Sequence, residues 1–185
     1  MDFASWLRDS PVRMAWEFRS MNTVDLLVSH GTLVTMDAKS RVIEDGAIAI
    51  RDGSFAAIGE PGDIESRHWA GRTFDASGAL VLPGLINGHA HAAMSLFRGF
   101  DDHSLDDWLQ KYIFPAEAQN VTEDFVAWGT RLSMVEMIRG GITTYADMYY
   151  FEDVVARVTK QAGLRGILGE TIVDFPAPDR STAVC

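Results

Sequence analysis

The sequence of 185 residues has a single cysteine, and it is the last residue, Cys185. No internal disulfide can form, and a zinc site built on cysteine thiolates is excluded. A reducing compartment fits this usage. No apolar run approaches the ~20 residues that a membrane helix needs. Asp2, Arg8 and Asp9 interrupt the place where the apolar segment of a signal peptide, about 7–15 residues, would lie, and Pro11 follows. The expectation is a cytoplasmic protein with no membrane partner. Positive charge is scarce: Lys and Arg number 16 against 26 Asp and Glu, for a net charge of −10. An acidic chain repels phosphate backbones, so no nucleic-acid partner is expected. A repeat, a low-complexity tract, a Gly-rich phosphate loop and a coiled-coil heptad are all missing from the sequence.

What is present is core-forming: 47% of residues are hydrophobic and 23% charged, a soluble globular balance. Three segments are expected. Residues 1–21 form an N-terminal extension broken at Pro11. Met21-Asn22-Thr23-Val24 reads as a natural beginning, so residues 1–20 are expected to be an upstream artefact. Residues 22–80 read as a small β domain of short strands and turns. Leu26-Leu27-Val28 and Leu33-Val34-Thr35-Met36 flank a His30-Gly31 turn. Asp52-Gly53 between the apolar runs Ala47-Ile48-Ala49-Ile50 and Phe55-Ala56-Ala57-Ile58 is a hairpin signal. Asp45-Gly46 and Glu60-Pro61-Gly62 read as further turns. His30 and His68 are expected at the surface.

From residue 81 the pattern alternates strand and helix. Residues 85–91 read as a first strand and 105–112 as a helix opened by Asp106 and Asp107. Thr122 is the expected N-cap of a long helix. Phe125, Trp128, Leu132, Val135 and Ile138 follow helical spacing along it, with Trp128, Met134 and Met137 expected in the core. Gly140-Gly141 ends that helix. Residues 142–148 form a second strand. Phe151, Val154, Val155, Val158 and Ala162 stripe a further helix that Gly163 stops, and 164–173 form a third strand. Such alternation implies a parallel sheet with right-handed crossovers.

His89 and His91 carry the most chemical information. Residues two apart on a strand point to one side, so two imidazoles converge at the strand's C-terminal end, where barrels of parallel strands keep their chemistry. Neutral imidazole is a zinc ligand at about 2.0–2.1 Å. The same spacing arises by chance in roughly one chain in ten of this composition, so spacing alone leaves metal binding open.

The run Pro83-Gly84-Leu85-Ile86-Asn87-Gly88-His89-Ala90-His91 resembles the first barrel strand of the amidohydrolase superfamily, in its cytosine-deaminase-like branch. Met94-Ser95-Leu96-Phe97-Arg98-Gly99, Trp108-Leu109, Pro115-Ala116-Glu117, Gly140-Gly141-Ile142-Thr143-Thr144 and Asp147-Met148-Tyr149 are similar to the N-terminal part of the 5-methylthioadenosine/S-adenosylhomocysteine deaminases. The resemblance spans residues 24–179. It implies an α/β fold: an incomplete (β/α)8 TIM-type metal-dependent hydrolase barrel, holding about the first three βα units in residues 81–185, preceded by a small β-sandwich-like domain. Such a barrel takes about 250 residues, so this segment is expected to be its opening only.

The resemblance implies hydrolytic deamination of an adenosine-type purine, 5-methylthioadenosine or S-adenosylhomocysteine, by a metal-activated water. His89 and His91 become two ligands of one divalent metal, zinc, with iron as the alternative. Further ligands and the catalytic residues are expected beyond residue 185, and the chain alone is expected to be inactive. Glu117 is implied to bind the ribose hydroxyls, because a carboxylate offers two acceptor oxygens to a vicinal diol. Read without the family it is an ordinary helix or loop carboxylate. Trp108 is implied to pack against the purine, with helix-face core as its other reading. Asp147 is expected to be structural and His103 a solvated loop residue. Glu170 departs from members with arginine at that place, which favours a neutral substrate. Other readings stay open: a triazine, pterin or guanine-type hydrolase of the same branch, a non-catalytic remnant, or a split subunit. The expected partner is a small purine nucleoside-like molecule, and a homo-oligomer is left open for the full-length form.

Overall fold

The computed structural model describes residues 21–100, 103–174 and 176–179. Residues 1–20, and with them the expected extension, lie outside the described part. Two compact units divide at Pro83 and Gly84.

The first unit contains β1 (Asn22–Val24), β2 (Leu26–Val34), β3 (Val42–Arg51), β4 (Ser54–Gly59), α1 (Pro61–Arg67), β5 (His68–Ala70), β6 (Thr73–Asp75) and β7 (Leu80–Val81). Its main sheet runs β4-β3-β2-β6, with β7 also paired to β2, while β1 and β5 form a separate parallel pair. The β3–β4 hairpin turns through Asp52 and Gly53, both at positive φ (51° and 70°). That is the backbone an Asp-Gly turn supplies at least cost. Val24, Leu27, Ala47, Ala49 and Ile64 make the core.

Four expectations for this unit change. His30-Gly31 is no turn: β2 runs through it, with His30 at φ 62° and a register shift between Val28 and Gly31. Asp45-Gly46 lies inside β3, where Gly46 faces Gly31 across the ladder. Glu60-Pro61-Gly62 opens helix α1, with Pro at its first turn and Glu60 as N-cap, where a missing N–H costs nothing. His68 is buried, not exposed. Its Nδ1–H donates to the Ile64 carbonyl at 2.9 Å, beside its own backbone N–H, and closes α1. His30 remains exposed, paired with Asp45 at 3.2 Å.

The second unit holds the strands β8 (Leu85–Ala90), β9 (Ile142–Tyr149) and β10 (Arg165–Glu170). All are parallel, in the order β10-β9-β8. A 3-10 turn (Ala92–Phe97) follows β8. Then come α2 (Leu105–Asp107), a π turn (Trp108–Ile113), α3 (Phe114–Asn120) and α4 (Glu123–Arg139), with α5 (Glu152–Ala162) between β9 and β10. Thr122 caps α4, its Oγ1 accepting from the Phe125 N–H at 3.2 Å. Gly163 closes α5 in the left-handed conformation, φ 81°, which glycine adopts without steric cost. This is an α/β unit with sequential parallel strands.

The burial of α4 differs from the expected stripe. Trp128, Val135 and Ile138 are 65%, 55% and 52% exposed, while Val126, Gly129, Thr130, Ser133, Met134 and Met137 are buried. The reason is close approach. A Cβ on Gly129 would lie 2.2 Å from the Ala93 carbonyl oxygen. The helix seats its small residues on the chain following β8, which turns the bulky stripe outward. Trp128 is covered on one face by the Arg131 guanidinium, 5.0 Å from the ring centre. Met134 and Met137 pack with Tyr145, Tyr149, Val154 and Val155 as expected core.

Candidate metal centre and substrate pocket

β8 ends at Ala90, so His89 sits in its last turn of pleat and His91 immediately past it. Their Nε2 atoms are 3.3 Å apart and the rings are nearly perpendicular, at 83°. The Nδ1–H of His91 donates to the Met148 carbonyl at the end of β9, at 2.7 Å. That bond fixes the tautomer and makes Nε2, which faces His89, the nitrogen that carries the lone pair. Two nitrogens at about 2.0–2.1 Å from one tetrahedral metal stand about 3.3–3.4 Å apart, so the donor pair fits a zinc-sized cation. Among the described residues no group of three or more His, Cys, Asp or Glu is arranged to hold a metal. The pair offers two donor nitrogens.

A pocket of about 330 Å³ opens beside His91. Trp108, Glu117, Met148, Tyr149 and Tyr150 line it together with His91. The structure therefore brings three of the four sequence-selected residues to one cavity, with His89 adjoining through its contact with His91. Trp108 comes from the π turn, and its indole N–H donates to the Phe100 carbonyl. Its polar edge is thereby used, and the ring is what remains for a ligand. Glu117, from α3, is only 5% exposed. The Tyr149 hydroxyl donates to its Oε1 at 2.8 Å. Burial pushes the Glu117 carboxyl up from its ordinary range, against the lowering effects of the Tyr149 hydrogen bond, nearby His91 and the Tyr150 hydroxyl.

Asp147 is buried at the end of β9. Both its oxygens accept from the Ala92 N–H, at 3.1 and 3.2 Å, and Oδ1 also accepts from its neighbour Met148 at 3.0 Å. Burial raises its carboxyl above the usual range, opposed by those backbone donors. His103 is exposed and stacks on Tyr112 with ring centres 4.2 Å apart. Glu170 turns toward α5, where its Oε2 accepts from the Glu152 N–H at 3.0 Å. Glu152 is buried, and its carboxyl is pushed up to about 8, chiefly by burial and then by Asp147 and Glu170.

Sequence reasoning did not select Tyr149, Tyr150 or Glu152. Their signals were the place of Tyr149 in the Asp147-Met148-Tyr149 motif and the position of Tyr150 and Glu152 just past the end of β9.

A parallel α/β unit with a His-x-His at the end of its first strand and a pocket over the strand ends defines a type of fold and site. The family profile of the amidohydrolases matches residues 80–184, and the chain belongs to the amidohydrolase family. It is 51% identical over 155 residues to a 5-methylthioadenosine/S-adenosylhomocysteine deaminase of Syntrophobacter fumaroxidans, covering 83% of this chain and 35% of that protein. It is 42% identical to a 5'-deoxyadenosine deaminase of Methanosarcina mazei, covering 82% of this chain and 34% of that protein. A crystal structure of an adenosine deaminase from Xanthomonas campestris with bound zinc superposes with a TM-score of 0.84 at 40% identity, covering 88% of this chain and 37% of that one. The chain thus spans about a third of the length of the curated relatives it matches. No helix among the described residues is long and apolar enough to cross a membrane.

Proposed function

We propose that this chain is the N-terminal part of a metal-dependent aminohydrolase that deaminates an adenosine-type purine. Water replaces the exocyclic amine: a C–O bond forms at the ring carbon, the C–N bond breaks, one proton of the water goes to the amine, which leaves as ammonia, and the other ends on the adjacent ring nitrogen. The observation that carries this reading is the meeting of His91, Glu117 and Trp108 at one cavity, with His89 beside them. The three relatives above support the substrate class, because each is named for an adenine nucleoside or its derivative.

His89 and His91 would hold one divalent metal, zinc or iron, through their Nε2 atoms. When bound, the metal supplies acidity to a water and polarises the carbon under attack. Glu117 accepts hydrogen bonds from the ribose 2′- and 3′-hydroxyls, using the lone pairs that the Tyr149 phenol leaves free. Trp108 offers a flat apolar face to the base. In the finer fold reading, residues 22–80 are a small β-sandwich-like domain and residues 81–185 begin a (β/α)8 barrel. Leu85, Ile86 and Ile167, in strands β8 and β10, are 53%, 75% and 72% exposed. Apolar strand residues left open in this way support a sheet that continues in further strands.

The test is a substrate panel with the complete zinc-loaded polypeptide that contains this chain. Ammonia release from 5-methylthioadenosine, 5'-deoxyadenosine or S-adenosylhomocysteine is the expected result. Release only from triazines, pterins or guanine would overturn the adenosine reading.

A further inference from the structure

The chain immediately after His91 is held from three sides. The Ala92 N–H donates to both oxygens of Asp147, on β9. The Ala92 carbonyl accepts from the Ser133 hydroxyl, on α4, at 2.7 Å. The Ser133 oxygen lies 2.5 Å from that of Ser95, which continues the network. Gly129, one turn before Ser133, lets the α4 backbone lie directly on Ala93. Ala92, Ser133 and Asp147 are 3%, 5% and 6% exposed, and Ala93 is fully buried. The imidazole of His91 is tied to β9 as well, through the Met148 carbonyl.

We propose that Asp147 and Ser133 are positioning residues for the metal centre. They clamp the peptide unit that follows His91, so the two imidazoles converge before a cation arrives. The proposal rests on His89 and His91 as metal ligands. The physical reason is preorganisation. Two histidines on a free strand end must give up backbone and rotamer freedom on binding, whereas a clamped end has already done so. Asp147 suits this role because an ionised carboxylate only accepts, and it receives the backbone N–H groups of Ala92 and Met148. An asparagine there would keep one acceptor oxygen and turn an NH2 group toward a backbone N–H. Alanine at 133 would leave the buried Ala92 carbonyl without its hydroxyl donor.

The test uses the protein stripped of metal with a chelator, then titrated with zinc by calorimetry and with cobalt(II) by its visible spectrum. Asp147→Asn is expected to bind zinc about 10–100-fold more weakly, the usual effect of losing an outer-shell partner, with an altered cobalt spectrum. Ser133→Ala is expected to weaken binding by about 3–10-fold. A merely structural role would lower the unfolding temperature and leave the zinc affinity and cobalt spectrum of the folded protein unchanged, which would overturn the proposal. Amide exchange in the metal-free parent needs no variant. Slow exchange at Ala92 supports the clamp, and exchange as fast as in an exposed loop overturns it. A parent protein that binds no zinc removes the metal reading and this inference with it. Binding by the parent that both variants share in full overturns the inference alone.

Discussion

On the histidine side of the pocket, His89 is exposed and His91 half-buried. Their order comes from hydrogen bonds behind them, at Met148 and at Ala92. On the carboxylate side, Glu117 is buried against Tyr149 and Tyr150, and desolvation is the largest influence on its carboxyl. One wall leaves imidazole nitrogens accessible and ties His91 to the backbone. The other keeps water away from a charge and offsets the cost with phenol hydrogen bonds. An imidazole that ligates a metal must be neutral and accessible. A charge that reads hydroxyl groups gains strength from a dry surrounding, as long as it stays ionised.

The largest expected effect separates the walls completely. His91→Ala should strip most of the zinc and reduce deaminase activity of the complete polypeptide by more than about 100-fold, since a catalytic metal is usually held by only about three protein ligands and loses one of them. Metal analysis after desalting checks it, and retained zinc would break the division of labour.

Glu117→Gln should leave zinc content intact and raise KM by about 10–100-fold, the range for a lost hydrogen bond to a charged group, ~1.5–3 kcal/mol. The effect should vanish with a 2′,3′-dideoxy substrate. Because burial holds the Glu117 carboxyl above its ordinary 4.5, ribose binding should weaken on acidification at a higher pH than an exposed glutamate would give. A KM profile against pH measures this.

Tyr149→Phe is subtler. It removes the donor that favours the ionised form of Glu117, so the acid limb of that profile should move to higher pH. KM near neutrality should rise by about 3–10-fold, for a hydrogen bond of ~1 kcal/mol. An unmoved limb would mean that the Tyr149 hydroxyl does not help to set the Glu117 carboxyl.

The last expected effect is on stability and leaves the chemistry of both walls alone. Glu152 has its carboxyl raised from 4.5 to about 8. Between those values the unfolded chain sheds a proton that the folded chain keeps. Stability therefore falls as pH rises through that window and levels off above it. Glu152→Gln should flatten this slope, as denaturant midpoints at pH 5, 7 and 9 would show (about these settings).

Local chemistry made much of the second unit legible. Thr122 and Gly163 set helix ends through their own side chain and backbone, as did Asp52-Gly53 for the hairpin in the first unit. The histidine spacing was legible because a strand's period of two is a local property. The buried face of α4 was not. Hydrophobicity alone favoured Trp128, Leu132, Val135 and Ile138, whereas Gly129 and Ser133 face inward because backbone approach and a hydrogen bond to Ala92 decide that contact. His68 was misjudged for a similar reason: its burial depends on a carbonyl four residues back that only the end of α1 supplies.

By itself, then, the sequence determined the alternation of strands and helices, most of their caps, and the convergence of His89 with His91. Each depends on residues within a few positions of one another. Tertiary structure alone decided that Glu117 meets Tyr149 across 32 positions and that Asp147 reaches Ala92 across 55. Parallel strands and their crossovers bring distant segments to one sheet end, and no local propensity records which side chains will face each other there.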